Sequence, residues 1–245
     1  VVPINPPYTG LQNGINYIND STVVLQLHAP QKEHIYVIGD FNNWLPTTNY
    51  HMNLSTNMST WWLEISGLTP GQKYAYQYFI DGTLRLADPM SPLILDPNND
   101  GSISAQTYPN PHPYPTGLTT GFATIMQPGA SSYTWVNANF AAPEKKDLVI
   151  YELHVRDFVA KRNYQTLIDT LDYLSKLGIN AIELMPPGEF ENNESWGYNP
   201  SFHMALDKYY GTPEKFKEFV DSCHGRGIAV LVDLVFNHAF GQSPM

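Results

Sequence analysis

The chain has 245 residues, enough for two domains, and a formal net charge of −10 with only 13 Lys and Arg. Nucleic acids and anionic membranes are bound through clustered positive charge, so neither is an expected partner. Apolar residues make up 42% and charged residues 15%, which supports a real core. Aromatic residues reach 13%, a surplus that serves either to pack β-sheets or to stack on sugar rings.

Residues 1–20, with Pro3, Pro6, Pro7, Gly10 and Gly14, read as an extended lead-in. The opening Val1, Val2 and Pro3 lack the charged and apolar regions of a signal peptide, so no leader is expected within this chain and its location stays open. No apolar run approaches the ~18–20 residues of a membrane span.

Residues 21–96 read as short strands. Thr22-Val-Val-Leu-Gln-Leu-His28 alternates, His34–Gly39 and Trp61–Ile65 follow, and Lys73–Ile80 puts Tyr74, Tyr76, Tyr78 and Ile80 on one side. Pro70-Gly71 and Asp81-Gly82 mark turns, Asp-Gly being a strong hairpin signal. This pattern predicts an antiparallel sandwich of immunoglobulin-like type. Trp61 and Trp62 fall on opposite faces, which leaves one of them for the core and the other for the surface. Residues 97–147, rich in Pro with Asn, Ser, Thr and Gly, read as a connector with little regular structure.

From 148 to 245 the pattern alternates strand and helix. Leu148–Val155 is a strand, and Tyr164, Leu167, Ile168, Leu171, Leu174 and Leu177 recur at helical spacing before Gly178. Ile179–Met185 is the next strand, and 188–211 a long loop. Thr212-Pro213 is an N-cap followed by proline at the first helical position. The stripe of that helix is Phe216, Phe219, Val220 and Cys223, so the single cysteine reads as a small core residue. The third strand runs through Gly227–Val232 into Asp233, Asn237 and His238. Strand, helix, strand, helix, strand is the pattern of a parallel α/β sheet.

Parallel sheets bind ligands beyond the C-terminal ends of their strands. The candidates there are Glu152, His154, Arg156 and Asp157, then Glu183, then Asp233, Asn237 and His238. No glycine-rich phosphate loop, zinc-ligand spacing or G-x-S-x-G follows any strand, so nucleotide binding, a zinc centre and an α/β-hydrolase nucleophile have no support. Taken alone, Asp233 and His238 fit a structural hydrogen-bonding role as well as a functional one.

Asp233-Leu-Val-Phe-Asn-His238 resembles the D-x-x-x-N-H motif of the α-amylase family of glycoside hydrolases. Val149–Val155, Ala181–Pro186, Trp196-Gly-Tyr-Asn-Pro200, Tyr210-Gly-Thr-Pro213 and His224-Gly-Arg-Gly-Ile228 resemble further segments of that family in the same order, closest to its branching and debranching members. Gly39-Asp-Phe-Asn-Asn-Trp44, Gly67–Gly71, Tyr76–Gly82 and Ala87-Asp-Pro89 resemble the immunoglobulin-like module, related to glycogen-binding modules, that precedes such barrels.

The resemblance implies an immunoglobulin-like sandwich followed by the first three β/α units of a TIM (β/α)8 barrel, over 148–245. It implies retaining chemistry on α-glucans such as starch, glycogen or maltooligosaccharides, with a carboxylate nucleophile and a carboxylic acid about 5 Å apart. It casts Tyr198 as a ring stacking on the sugar, His238 as a sugar hydrogen-bonding group and Asp233 as a support of the central site. Asn237 is the candidate calcium ligand. In the family the nucleophile and the acid follow the fourth and fifth strands. Residues 1–245 are therefore expected to form an N-terminal portion that is inactive alone and has the rest of its own barrel as partner. Glu152 and Glu183 are expected inside the barrel, not in those roles. The competing reading is carbohydrate binding without catalysis through the sandwich, with Trp44 as the stacking ring.

Overall fold

A computed structural model describes residues 2–241 and 243–245; Val1 and Gln242 lie outside the described residues. The chain divides into two units, one running up to Asn98 and adding His112–Ser131 and 243–245, the other made of Asn99–Pro111 and Ser132–Gly241.

The first unit is a pair of antiparallel sheets. Its strands are β1 Gly14–Asn19, β2 Thr22–His28, β3 Ile35–Gly39, β4 Asn53–Leu54, β5 Thr60–Ile65, β6 Tyr74–Ile80, β7 Leu84–Leu86, β8 Ile94–Leu95 and β9 Ala123–Met126. One sheet has the order β1-β2-β5-β4, the other β3-β6-β9-β8 with β7 on β6. Alternation decides which residues meet. Val23, Leu25 and Leu27 of β2 and Trp61, Leu63 and Ile65 of β5 pack against Tyr74, Tyr76, Tyr78 and Ile80 of β6 in one buried cluster. The predicted Asp81-Gly82 turn forms, both residues having positive φ, and Asp81 Oδ1 accepts the backbone N–H of Glu33 and His34.

Three expectations change here. The lead-in is not structureless: β1 pairs with β2, and the Trp62 indole N–H donates to the Ile4 carbonyl at 2.8 Å. That contact buries Trp62 as well as Trp61, so neither indole is left at the surface. The connector contributes β9, which sits between β6 and β8, so the sandwich extends past residue 96 as well as before residue 21. Short apolar runs between prolines carry too little periodicity to be recognised as strands before their partners are known.

A carboxylate is buried inside this unit. Asp88 Oδ2 accepts the hydroxyls of Tyr76 and Tyr78 at 2.8 Å each, and Oδ1 accepts the Met90 N–H at 2.8 Å. Burial pushes the Asp88 carboxyl up from its ordinary range and the two phenols well above theirs.

The second unit has a three-stranded parallel sheet in the order β10 Ile150–Leu153, β11 Ala181–Leu184, β14 Ala229–Val232. Between β11 and β14 lies a hairpin, β12 Gly188–Phe190 with β13 Pro200–Leu206, where a loop was expected. The helices are α1 Val155–Phe158, α2 Tyr164–Asp169, α3 Leu171–Lys176 and α4 Pro213–His224. The single helix expected over 164–177 is two, divided at Thr170, whose hydroxyl turns back to donate to the Leu167 carbonyl at 2.7 Å. Thr212 caps α4 by accepting the Lys215 N–H, with Pro213 in the first turn as predicted.

Leu153, Ile182 and Leu184 of the sheet pack with Leu167, Leu171, Leu174, Phe219 and Cys223 of the helices. Cys223 is a core residue, and burial pushes its thiol up to about 12. The opposite sheet face carries Glu152 and Glu183, which are register partners on adjacent strands.

Removing the Asp88 acceptor strands two buried phenol donors and frees the part-buried Met90 N–H. Asp88→Ala is expected to destabilise the sandwich by about 3 kcal/mol, read as a lower urea midpoint in tryptophan fluorescence.

Candidate functional site

Strand β14 ends at Val232, and the next residue extends the sheet by one bond, Asp233 N–H to the Leu184 carbonyl at 2.9 Å. This places the Asp233 side chain just beyond the C-terminal end of the sheet. Tyr198 reaches the same point from the loop of the β12–β13 hairpin, and its hydroxyl donates to Asp233 Oδ2 at 2.7 Å. His238 Nε2 lies 2.8 Å from the Tyr198 carbonyl. A carbonyl only accepts, so Nε2 carries the hydrogen and Nδ1 faces Asn237 Nδ2 at 3.3 Å. Tyr198, Asp233 and His238, predicted from distant stretches of sequence, are joined by two hydrogen bonds.

The loop carrying Tyr198 is shaped by its neighbours. Gly197 has φ +89°, and a Cβ there would overlap the Pro186 carbonyl, so only glycine fits. Ser195 Oγ accepts the Gly197 N–H and donates to Asn199 Oδ1. Tyr198 is 41% exposed, leaving ring surface free beside its anchored hydroxyl. The hydrogen bond to Asp233 is the main reason its phenol rises to about 12, with desolvation and the charges of Asp233, Glu152 and Glu183 acting in the same direction.

The candidates at the end of β10 turn elsewhere. His154 Nδ1 lies 3.0 Å from Asp157 Oδ2 and Nε2 lies 2.9 Å from the Tyr210 hydroxyl, while Arg156 Nε donates to Asp157 Oδ1 at 2.8 Å. The Arg156 bond, then that of His154, holds Asp157 well below the usual carboxylate range. These groups bond chiefly to one another, and Arg156 Nη1 also donates to the Ser195 carbonyl at 3.4 Å in the loop that carries Tyr198.

Sequence reasoning missed the charged cluster beneath the hairpin. Lys208 is 3% exposed, and its Nζ lies 2.8 and 2.9 Å from the two Glu189 carboxylate oxygens and 3.2 Å from Asp100 Oδ1. Asp207, also buried, accepts the backbone N–H of Tyr209 and Phe190. Burial raises the Glu189 and Asp207 carboxyls. It works against the Lys208 charge, but the surrounding carboxylates outweigh it and keep Lys208 protonated. Glu189 and Lys208 lie 19 residues apart, and no local spacing rule pairs them.

One expected residue does not fit its role. Trp44 is 3% exposed and so is not available for stacking on a glycan. The turn that follows β3 drives it onto the outer face of the second sheet, against Ile38, Ala75, Leu95 and Ile125, with its indole N–H donating to Asp40 Oδ1 at 3.1 Å. Asn237 directs its amide nitrogen at His238 Nδ1, which leaves its amide oxygen as the atom that a calcium ion would take.

Residues 156–243 match the family described as Alpha amylase, catalytic domain, and residues 12–98 match Carbohydrate-binding module 48 (Isoamylase N-terminal domain). Residues 156–243 are thus similar to the α-amylase catalytic domain, and residues 12–98 to the module found N-terminal to isoamylase. Tyr198, Asp233 and His238 all fall within the catalytic-domain match.

Similar proteins include a malto-oligosyltrehalose trehalohydrolase of Arthrobacter ramosus, 30% identical over 86% of this chain and 32% of that one. A 1,4-alpha-glucan branching enzyme GlgB of Nitrosococcus oceani is 30% identical over 89% of this chain and 28% of its own length. Among solved structures, a candidate alpha amylase from Salmonella typhimurium superposes with a TM-score of 0.73 at 26% identity, covering 94% of this chain and 34% of that one. The catalytic module of the glycogen-degrading pneumococcal virulence factor SpuA shares the fold, with a TM-score of 0.67 at 23% identity, over 95% of this chain and 38% of that one. The chain spans about a quarter to a third of the length of the curated relatives it matches. No helix among the described residues is long and apolar enough to cross a membrane.

Two measurements test this geometry. The Asp233 charge favours the protonated phenol, so Asp233→Asn is expected to lower the Tyr198 pKa from about 12, with desolvation, Glu152 and Glu183 still holding it up; an alkaline titration by tyrosine-labelled NMR should show the variant ionising at lower pH than the wild type. Lys208→Met leaves Glu189 buried without its cation and is expected to cost about 3–5 kcal/mol of stability, detected as faster amide exchange in the β12–β13 hairpin.

Proposed function

We propose that this chain is the N-terminal portion of a retaining enzyme acting on α-glucans, and that Tyr198, Asp233 and His238 form one wall of its substrate site. The observation that carries this reading is the convergence of these residues at the C-terminal end of a parallel sheet, where such sheets hold their ligands. The names of the relatives support the substrate class, since they include a 1,4-alpha-glucan branching enzyme and a glycogen-degrading module.

In this reading residues 148–245 are the first three β/α units of a (β/α)8 barrel and 21–96 the heart of an immunoglobulin-like module. The strand order β10-β11-β14 supports the barrel, as does a sheet face covered by helices with Glu152 and Glu183 on the other face. The rest of the barrel pairs with the outer strands.

The chemistry of the wall follows from its groups. The exposed ring of Tyr198 offers a flat apolar surface to the C–H face of a glucosyl unit. Asp233 fixes that ring through its hydroxyl and adds negative charge beside it, which suits the oxocarbenium-like transition state of glycoside cleavage. His238 has one nitrogen engaged with the Tyr198 carbonyl, so reaching a sugar hydroxyl through Nε2 requires the ring to exchange partners. Retention needs a nucleophile and an acid about 5 Å apart, and neither role is assigned to Tyr198, Asp233 or His238. The isolated 245-residue chain therefore binds without cleaving. Carbohydrate binding through Trp44 is the less supported reading, because that ring is buried.

Calorimetric titration with maltotriose tests the wall: Tyr198→Ala is expected to weaken binding about tenfold. Reducing-end assays of the purified chain on glycogen should stay at background. Sustained hydrolysis by residues 1–245 would overturn the placement of the reacting carboxylates elsewhere.

A further inference from the structure

We propose that Trp135 is the centre of a second α-glucan-binding platform, at the end of the second unit opposite to Tyr198, Asp233 and His238. This rests on the α-glucan reading above. Helix α4 ends at His224 and β14 begins at Ala229, so the end of α4 lies at the N-terminal end of the strand whose C-terminal end leads to Asp233.

The segment 132–140 contains no helix or strand, yet it is tightly held. Asp221 of α4 is buried, and its carboxylate accepts the Tyr133 hydroxyl at 3.2 Å, the Val136 N–H at 2.8 Å, and the backbone and side-chain N–H groups of Asn137 at 2.8 and 3.1 Å. The Asn137 amide also donates to the Asp221 carbonyl at 3.0 Å. One carboxylate thus fixes an otherwise irregular segment to a helix.

What this arrangement displays is aromatic. Trp135 is 41% exposed, although an indole is among the side chains that gain most from burial. Its edge meets Tyr133 at 4.9 Å between ring centres, and its face lies near His224 at 6.4 Å and 26°. His224 in turn stacks on Phe140 at 4.0 Å and 9°. The ring is buttressed from within and open to solvent.

Two depressions lie along this segment and α4, and the smaller is lined by the ring itself. One, of about 540 Å³, is lined by Tyr133, Asn137, Glu218, Ser222 and Arg226; the other, of about 240 Å³, by Trp135, Asn137, Phe140 and His224. Their combination of flat rings with amide, hydroxyl and charged groups suits a ligand with apolar faces and many hydroxyls. Each charged group is engaged: Arg226 Nε and Nη2 each lie 2.9 Å from Asp172 Oδ1, Glu218 pairs with Lys215 at 2.6 Å, and the Asp221 carboxylate that also lines the first depression is met by four neutral donors. A lining whose cation is already paired and which keeps a carboxylate favours a neutral glucan over a phosphorylated or anionic ligand.

The test is affinity electrophoresis of the 245-residue chain through native gels containing glycogen. Trp135→Ala is expected to weaken retardation about tenfold, and Trp135→Phe to preserve most of it. The double variant Tyr198→Ala/His238→Ala is expected to keep the Trp135-dependent part. In the Tyr198→Ala/His238→Ala background, maltoheptaose should change the tryptophan fluorescence and leave no such change once Trp135→Phe is added, a readout that holds even where Trp135→Ala folds poorly. Wild-type retardation by Trp135→Ala, with loss in the double variant, would refute the platform and leave the glucan reading standing. Absence of retardation in every form, wild type included, would refute both.

Discussion

Lys208 carries a full charge in the interior of the second unit, and a buried ammonium costs several kcal/mol unless it is paired. Its partners come from separate places: Glu189 on β12 and Asp100 in the segment before the first parallel strand. The ion pair therefore does more than satisfy a charge. It ties the two ends of the β12–β13 hairpin to each other and to residues 99–103, and the loop between those strands carries Tyr198. Asn193 in that loop adds two hydrogen bonds of its own, to the Asn99 carbonyl and to Ser102 Oγ. The site at the end of the sheet depends on this buried framework, because Tyr198 can meet Asp233 only where the hairpin holds it.

The same physical device recurs elsewhere in the molecule. Asp40 accepts the Ala75 N–H, the Trp44 indole and a His112 nitrogen; Asp88 accepts two phenols and a backbone N–H; Asp221 accepts four donors from 133–137. Each carboxylate has two oxygens and several lone pairs, so one side chain can organise a stretch that has no ladder of its own. In an acidic chain that contains 20 prolines, this is how long irregular segments acquire definite positions.

Much of the organisation was legible from the residues. The alternation in Thr22–His28 and Lys73–Ile80, the Asp81-Gly82 turn and the Thr212-Pro213 start of α4 are local signals, and local backbone physics realised them. The D-x-x-x-N-H stretch and the Tyr198 segment were recognised together, and they meet in space. Trp44 shows the limit of such reading. Its position in a familiar motif suggested an exposed ring, but two consecutive residues with positive φ, Asn43 and Trp44, turn the indole onto the sheet. A β-strand in the proline-rich connector and a hairpin in the long loop were likewise invisible, because both are defined by partners far along the chain.

By itself, then, the amino-acid sequence determined the class of each unit and the order of its main strands, because period-2 and period-3.6 patterns are properties of neighbouring residues. It also singled out the three residues of the candidate wall. Only the tertiary structure decided that Tyr198 is bonded to Asp233, that Lys208 is buried among carboxylates, and that Trp44 is hidden while Trp135 is displayed. Exposure and long-range pairing depend on which distant segments come to lie against a side chain, and no local pattern encodes that.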